Sequence, residues 1–141
     1  MGMVTPTSPE GAIDRPVPPL GLAIAAGATF VARGYPGELR HLVWLIGEAL
    51  QHPGYALVDV LQPCVTWNRP SSYDFYNTRV YKLDETGHDV TDKTLAWELA
   101  YQWGERIPIG IFYRVEGMPT YEEQVEKLRP EQVEELRAEV I

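Results

Sequence analysis

The chain has 141 residues, and a balance of 45% hydrophobic to 23% charged residues is that of a globular domain, which excludes wholesale disorder. Twenty acidic against twelve basic residues leave a net charge of −8, which excludes a large phosphate-binding face and with it nucleic-acid binding. A single cysteine excludes an internal disulfide and any multi-cysteine metal site made by this chain alone.

Residues 1–19 carry Pro6, Pro9, Pro16, Pro18 and Pro19, with Gly2 and Gly11 between them. Proline fixes φ and removes a donor, so the expectation is an extended arm. The uncharged stretch from Val17 to Ala32, preceded only by Pro16 before Arg15, is shorter than the roughly 20 residues that a spanning helix needs. It is also broken by Pro18, Pro19, Gly21 and Gly27, and acidic Glu10 and Asp14 precede it where an export signal would be basic. The reading is therefore no membrane association, with the cytoplasm as the location.

Leu20 to Ala26 is small and apolar all round, which suits a short packed helix closed by Gly27. Ala28 to Arg33 reads as a buried strand, and Gly34 with Pro36-Gly37 as the next turn. Glu38 to His52 is the clearest helix, because Leu39, Leu42, Val43, Ile46 and Leu50 form one apolar stripe. Tyr55 to Leu61 reads as a second buried strand, stopped by Pro63. Two strand–helix alternations imply a parallel, helix-covered sheet, an α/β unit of three layers with Phe30, Leu42, Ile46 and Val58 in its core.

The chain then changes character. Trp67, Tyr73, Phe75, Tyr76 and Tyr81 crowd an aromatic excursion that reads as partly helical around Tyr73 to Val80. With only Arg69 and Arg79 as cations, base stacking is not its purpose. Asp92 to Trp103 reads as a helix with Leu95, Leu99 and Gln102 on one side. Ile107 to Tyr113 is a strand that Pro108 and Gly110 push toward a sheet edge or an extended docking segment. Thr120 and Glu123 form a capping box, so a helix should start at Tyr121, with Pro130 opening a second one. From Thr120 to Ile141 seven acidic and three basic residues make an acidic helical tail. Val125, Leu128, Val133, Leu136 and Val140 are its only packing residues.

No dinucleotide, P-loop, zinc-protease or serine-hydrolase motif is present. His41, His52 and His88 lack metal-ligand spacing and read as structural or solvated. Asp59 inside an apolar strand needs either an arginine near the strand end or a functional cleft. Cys64 follows that strand directly, at the end where open α/β sheets place ligands. On composition alone three readings of Cys64 stay open. It is an inert buried thiol, or a nucleophile whose base is not evident nearby, or one ligand of a metal centre completed from elsewhere.

Together, the runs LAIAAGATFVARG (22–34), HLVWLIGEALQHPGYALVDVLQPCVTWN (41–68), YNTRVYKLDETGHD (76–89) and WGERIPIGIFYRVEGMPTYEE (103–123) resemble the beta subunit of 2-oxoacid:ferredoxin oxidoreductases. The LQPCVTWN and RIPIGIFYR blocks are the specific ones. The resemblance runs from about Thr7 to Glu123 and is to the carboxyl-terminal half only, with Thr5-Pro6-Thr7 similar to a segment that follows the diphosphate loop. It implies a thiamine-diphosphate-binding-type α/β fold. Residues 1–19 would be the arm, 20–68 the carboxyl-terminal half of that domain, and 69–141 the beta-subunit extension with the acidic tail.

The resemblance also implies an activity: oxidative decarboxylation of a 2-oxoacid such as pyruvate, with coenzyme A and electron transfer to ferredoxin. The cofactors implied are thiamine diphosphate with Mg2+ and a 4Fe–4S cluster. Carried across, Cys64 is the fourth cluster thiolate, and no catalytic residue falls in this half. The G-D-G loop and the other cluster cysteines belong to the half that is not here. The implied partners are that amino-terminal half, the alpha subunit, the gamma and delta subunits of larger assemblies, and ferredoxin. Two readings compete with this one: a non-catalytic interaction module that keeps the fold, and a stand-alone cysteine hydrolase or transferase.

Overall fold

The structure, a computed structural model, describes Val4 and residues 8–13, 15–66 and 68–127. The expectations for Thr5-Pro6-Thr7, for Trp67, and for Leu128, Pro130, Val133, Leu136 and Val140 of the tail lie outside the described residues.

Among the described residues five α-helices and four strands make the fold: α1 (Pro19–Ala25), β1 (Phe30–Gly34), α2 (Leu39–Gln51), β2 (Ala56–Val60), α3 (Tyr73–Asn77), β3 (Val80–Lys82), α4 (Lys93–Ala100), β4 (Ile107–Arg114) and α5 (Tyr121–Lys127). The strands form one sheet in the order β2-β1-β4-β3. β1 runs parallel to β2, and β3 runs parallel to β4, but β4 is antiparallel to β1. The sheet is therefore mixed, not parallel throughout. α1 closes as its sequence implies, with Gly27 at φ +85 entering the left-handed region that only glycine occupies without steric cost.

The sheet is covered on both faces. Val31 and Phe112 meet Leu20, Ala23 and Ile24 of α1 and Ala96 and Ala100 of α4 on one face. Phe30 and Ala32 meet Leu45 of α2 on the other, with Ala49, Val58 and Ile111 packed around them. The alternation along β1 is that of a strand buried on both sides, and all five of its residues are buried.

Three local expectations are corrected. Ile46 is 40% exposed, and it is Leu42 and Leu45 that α2 buries. β2 is an outer strand, half-buried along Ala56 to Asp59, and Val58 is half-buried with it. β4 is an interior strand despite Pro108. Its pairing with β1 involves Gly110 to Arg114 and its pairing with β3 involves Ile107 to Ile109, so Pro108 lies beyond the stretch facing β1. Gly110 sits at φ +125, and a Cβ there would approach Leu83 Cβ to 3.3 Å. The register shifts between Val31 and Ala32, which face Tyr113 and Ile111, leaving Phe112 as an extra residue. Such a bulge re-aims side chains. Phe112 and Tyr113, adjacent in sequence, both pack toward α1 and α4.

The helix ends carry two testable features. Thr120 Oγ1 accepts from the Glu123 N–H at 3.3 Å, and Glu123 Oε2 accepts from the Thr120 N–H at 2.9 Å, the reciprocal cap expected. Thr120→Ala should cost about 1 kcal/mol of local helix stability. Faster amide exchange over residues 121–127 checks it, and unchanged exchange would refute it. At the end of α2, buried His52 bonds Thr29 Oγ1 through Nε2 at 2.8 Å, and burial lowers its pKa below 6.5. The unfolded chain then binds the proton more tightly, so this contribution is complete above about pH 6.5 and lost as pH falls. His52→Phe should flatten the fall in stability between about pH 7 and pH 5, read by urea midpoints at each pH.

Candidate functional site

β1 and β2 end side by side, and their last residues build the site. Arg33 lies opposite Asp59 in the parallel register, and its Nε donates to Asp59 Oδ2 at 2.8 Å. Arg33 is 3% exposed, while the Asp59 side chain is 22% exposed. The guanidinium sits 5.4 Å from the Phe112 ring centre and 5.6 Å from that of Trp103, so the bulge in β4 supplies one wall of its socket. Arg33 Nη1 is buried with no hydrogen-bond partner among the described residues. Of the two alternatives that the sequence leaves open for Asp59, the arginine is found, and the pair also lines a cleft.

That cleft has a volume of about 460 Å³. Pro16 to Pro19 of the arm form one side, Tyr101 and Trp103 after α4 another, and Leu61 and Gln62 the continuation of β2. The aromatic excursion is the wall behind it. Buried Tyr35 donates from its hydroxyl to Asn77 Oδ1 at 2.7 Å, and its ring lies 5.5 Å from that of Tyr76. Tyr76 in turn meets Phe75 at 5.1 Å and Trp103 at 6.5 Å, edge to face. Burial raises the phenol pKa of Tyr35 and of Tyr76, so both stay protonated, and Tyr35 remains the donor to Asn77.

Two residues beyond Gln62 stands Cys64, half-buried in the loop that leaves β2. Its N–H donates to Ser71 O at 3.0 Å, and its Sγ accepts from the Asn68 N–H at 3.3 Å. The 3-10 turn over Arg69–Ser71, closed by the Ser71 N–H on Asn68 O, fixes that geometry. A backbone N–H aimed at sulfur is one of the levers that set the potential of a sulfur-ligated iron centre. The donor set thus fits one ligand of such a centre. It does not fit a whole one, because no group of three His, Cys, Asp or Glu could hold a metal among the described residues.

The histidines take the structural roles that the sequence indicates. His52 bonds Thr29, His88 Nε2 bonds Phe112 O at 2.8 Å, and His41 stacks on Trp44 and lies 3.4 Å from Asp84. The residue that sequence reasoning missed is Arg33. Its signal was positional, because Arg33 and Asp59 each stand one residue before the end of their strands.

Residues 64–130 match the family model for the C-terminal region of the beta subunit of pyruvate ferredoxin oxidoreductase. The 2-oxoacid:ferredoxin oxidoreductase subunit beta of a Sulfolobus species is 43% identical over 132 residues, covering 86% of this chain and 43% of that one. The corresponding subunit of Saccharolobus solfataricus is 40% identical over 140 residues, covering 92% of this chain and 46% of that one. A solved structure of 2-oxoglutarate:ferredoxin oxidoreductase from Magnetococcus marinus, with 2-oxoglutarate, coenzyme A and succinyl-CoA bound, superposes with a TM-score of 0.82 at 33% identity. It too is matched over 92% of this chain and 44% of its own. The chain spans less than half the length of the curated relatives it matches.

Proposed function

The chain belongs to the 2-oxoacid:ferredoxin oxidoreductase beta-subunit family, and from that premise we propose that it supplies the carboxyl-terminal part of a beta subunit, with Cys64 as one thiolate ligand of an iron–sulfur cluster. The observation that carries this reading is the setting of Cys64. The thiol stands at the carboxyl end of β2, receives a backbone N–H, and lies two residues past the cleft wall. The remaining cluster ligands, and the loop for thiamine diphosphate and Mg2+, would come from the part of the relatives that this chain does not match. When bound, the thiamine cofactor supplies decarboxylation of the oxoacid and the cluster carries single electrons toward ferredoxin, with coenzyme A taking the acyl group.

This chain's own residues would do three things. Cys64 would hold one iron, and the Asn68 N–H would steady its sulfur. Arg33, neutralised by Asp59, would keep a rigid polar floor in the cleft. Pro16 to Pro19 and the Tyr76–Trp103 wall would shield that floor from water. Residues 20–68 would form the carboxyl-terminal half of the cofactor-binding domain, residues 69–141 its extension, and the cytoplasm the setting. No described helix is long and apolar enough to cross a membrane.

The test is a chimera. The chain is fused to the part of the Saccharolobus solfataricus beta subunit that it does not match, and produced with that enzyme's alpha subunit. Iron, acid-labile sulfide and 2-oxoacid-dependent ferredoxin reduction are then measured. Cys64→Ser should lower cluster content and ferredoxin reduction together while the circular dichroism stays unchanged. The isolated chain should hold no stable cluster, since a single thiolate cannot replace the set a 4Fe–4S cluster needs. Full occupancy and normal electron transfer in the Cys64→Ser chimera would return Cys64 to the role of a packed thiol, whereas a wild-type chimera with neither cluster nor turnover would favour the non-catalytic interaction module.

A further inference from the structure

Cys64 stands on a loop, yet that loop is tied to the sheet by a residue far from it in sequence. Tyr35 directly follows β1 and is 1% exposed. Its hydroxyl donates to Asn77 Oδ1 at 2.7 Å and stands 3.3 Å from Tyr73 O, so one group reaches both ends of α3. Among the described residues, these are the side-chain hydrogen bonds that join α3 to the sheet. The ring is held as firmly as its hydroxyl. The Tyr73 and Tyr76 rings lie 6.1 and 5.5 Å from it, centre to centre. A Cβ at Gly37 would stand 2.2 Å from Tyr35 Cε1, so the 3-10 turn over Pro36–Glu38 closes directly against the ring.

α3 passes this hold to the thiol through a short run of backbone. Ser72 O accepts from the Tyr76 N–H at 3.3 Å at the start of the helix. The residue before it, Ser71, accepts from the Cys64 N–H at 3.0 Å and donates its own N–H to Asn68 O at 2.9 Å. The Asn68 N–H in turn donates to Cys64 Sγ at 3.3 Å. The sulfur and its donor are thus placed by the turn over Arg69–Ser71, and that turn runs straight into α3. Packing of the loop itself adds little, since Val65 is 63% exposed and Thr66 is exposed beside it.

We propose that Tyr35 is a positioning residue for Cys64: its hydroxyl clamps α3, keeps the Asn68 N–H on the sulfur, and thereby raises the reduction potential of the cluster that Cys64 ligates. The proposal rests on the reading of Cys64 as a cluster thiolate. A donor aimed at a ligating sulfur favours the reduced, more negatively charged cluster. Loosening the clamp weakens that donor and so lowers the potential. Tyr35 acts through α3 and needs no contact with the cluster.

Two measurements test this, one of them without the cluster. Tyr35→Phe keeps the ring and removes the hydroxyl. In the isolated chain the Cys64 and Ser71 amides of this variant should exchange about fivefold faster or more, relative to Val31 and Ala32 in β1, as loss of one hydrogen bond implies. In the chimera with the Saccharolobus solfataricus part, redox titration followed by electron paramagnetic resonance should place the Tyr35→Phe potential about 30 mV lower, a roughly threefold change in the one-electron equilibrium constant. Asn77→Ala, at an exposed residue, should reproduce both effects, and the double variant should match Tyr35→Phe alone. Tyr81→Phe is the control for a purely structural loss. It removes a hydroxyl bonded to Gln102 Oε1 at 2.6 Å, on the face covered by α1 and α4, and should leave the potential unchanged. Wild-type potentials in Tyr35→Phe and Asn77→Ala would overturn the proposal, as would unchanged exchange at Cys64 or an equal shift from Tyr81→Phe. Full cluster content in the Cys64→Ser chimera would overturn it from the other side, by removing the ligand reading on which it rests. The exchange rates of the isolated chain would then show whether the clamp itself had failed.

Discussion

Asp59→Ala is expected to destabilise the fold by about 3 kcal/mol, because it leaves Arg33 charged and buried without its partner. Arg33 is 3% exposed and its Nη1 has no acceptor among the described residues, so the carboxylate is its principal compensation. The low end of the usual range of about 3–5 kcal/mol applies, since the Asp59 side chain keeps 22% of its exposure and water can reach part of the vacated site. Asp59→Asn retains an acceptor and should cost less. The double change Arg33→Met with Asp59→Leu should recover most of the loss, because replacing a buried pair by apolar groups is often neutral. Urea midpoints with an unchanged slope would measure all three. An Asp59→Ala variant within about 0.5 kcal/mol of wild type would mean that the pair behaves like an exposed one.

Leu45→Ala and Ile46→Ala should separate sharply although they are neighbours of equal size. Leu45 is fully buried against Phe30 and Ala32, and its truncation should cost about 2–5 kcal/mol through lost transfer energy and a residual cavity. Ile46, 40% exposed, should cost well under half as much in the isolated chain. Equal losses would place the helix in the rotation implied by its apolar stripe.

That pair shows where the sequence was legible and where it was not. The helix itself, its limits and the two strands around it follow from periodicity and turn chemistry, and they are present within a residue or two. The buried face does not follow, because α2 is apolar around more than half its circumference, and periodicity alone cannot choose between two apolar sides. The choice is made by groups far away in sequence. Gly34 offers no Cβ, which would stand 2.3 Å from Leu42 Cδ1, and Arg114 captures Glu48. Pro108 misled for a related reason. Proline marks an edge only where its missing N–H faces a partner, and the staggered pairing of β4 puts that position beyond β1. Asp59 was legible as an anomaly, but its partner required the register of two strands. Cys64 was legible through the resemblance of LQPCVTWN, whereas the N–H that Asn68 gives it was not, since it depends on the turn that follows.

The staggered position of β4 also governs the order in which the molecule can assemble. β1, α2 and β2 are contiguous and can form as a local unit, but the partner on the other side of β1 is contributed by residues up to Arg114, more than half the chain away. Until that strand arrives, β1 is open on one side, and the loop that must close is long. Closure entropy grows only slowly with length, but distant pairing delays the productive encounter, so a refolding time of about milliseconds to seconds is expected. Mutations in the bulge at Phe112 should therefore slow folding more than mutations in α2, and a chain interrupted before Ile107 should leave β1, an interior strand of the finished sheet, as an open edge.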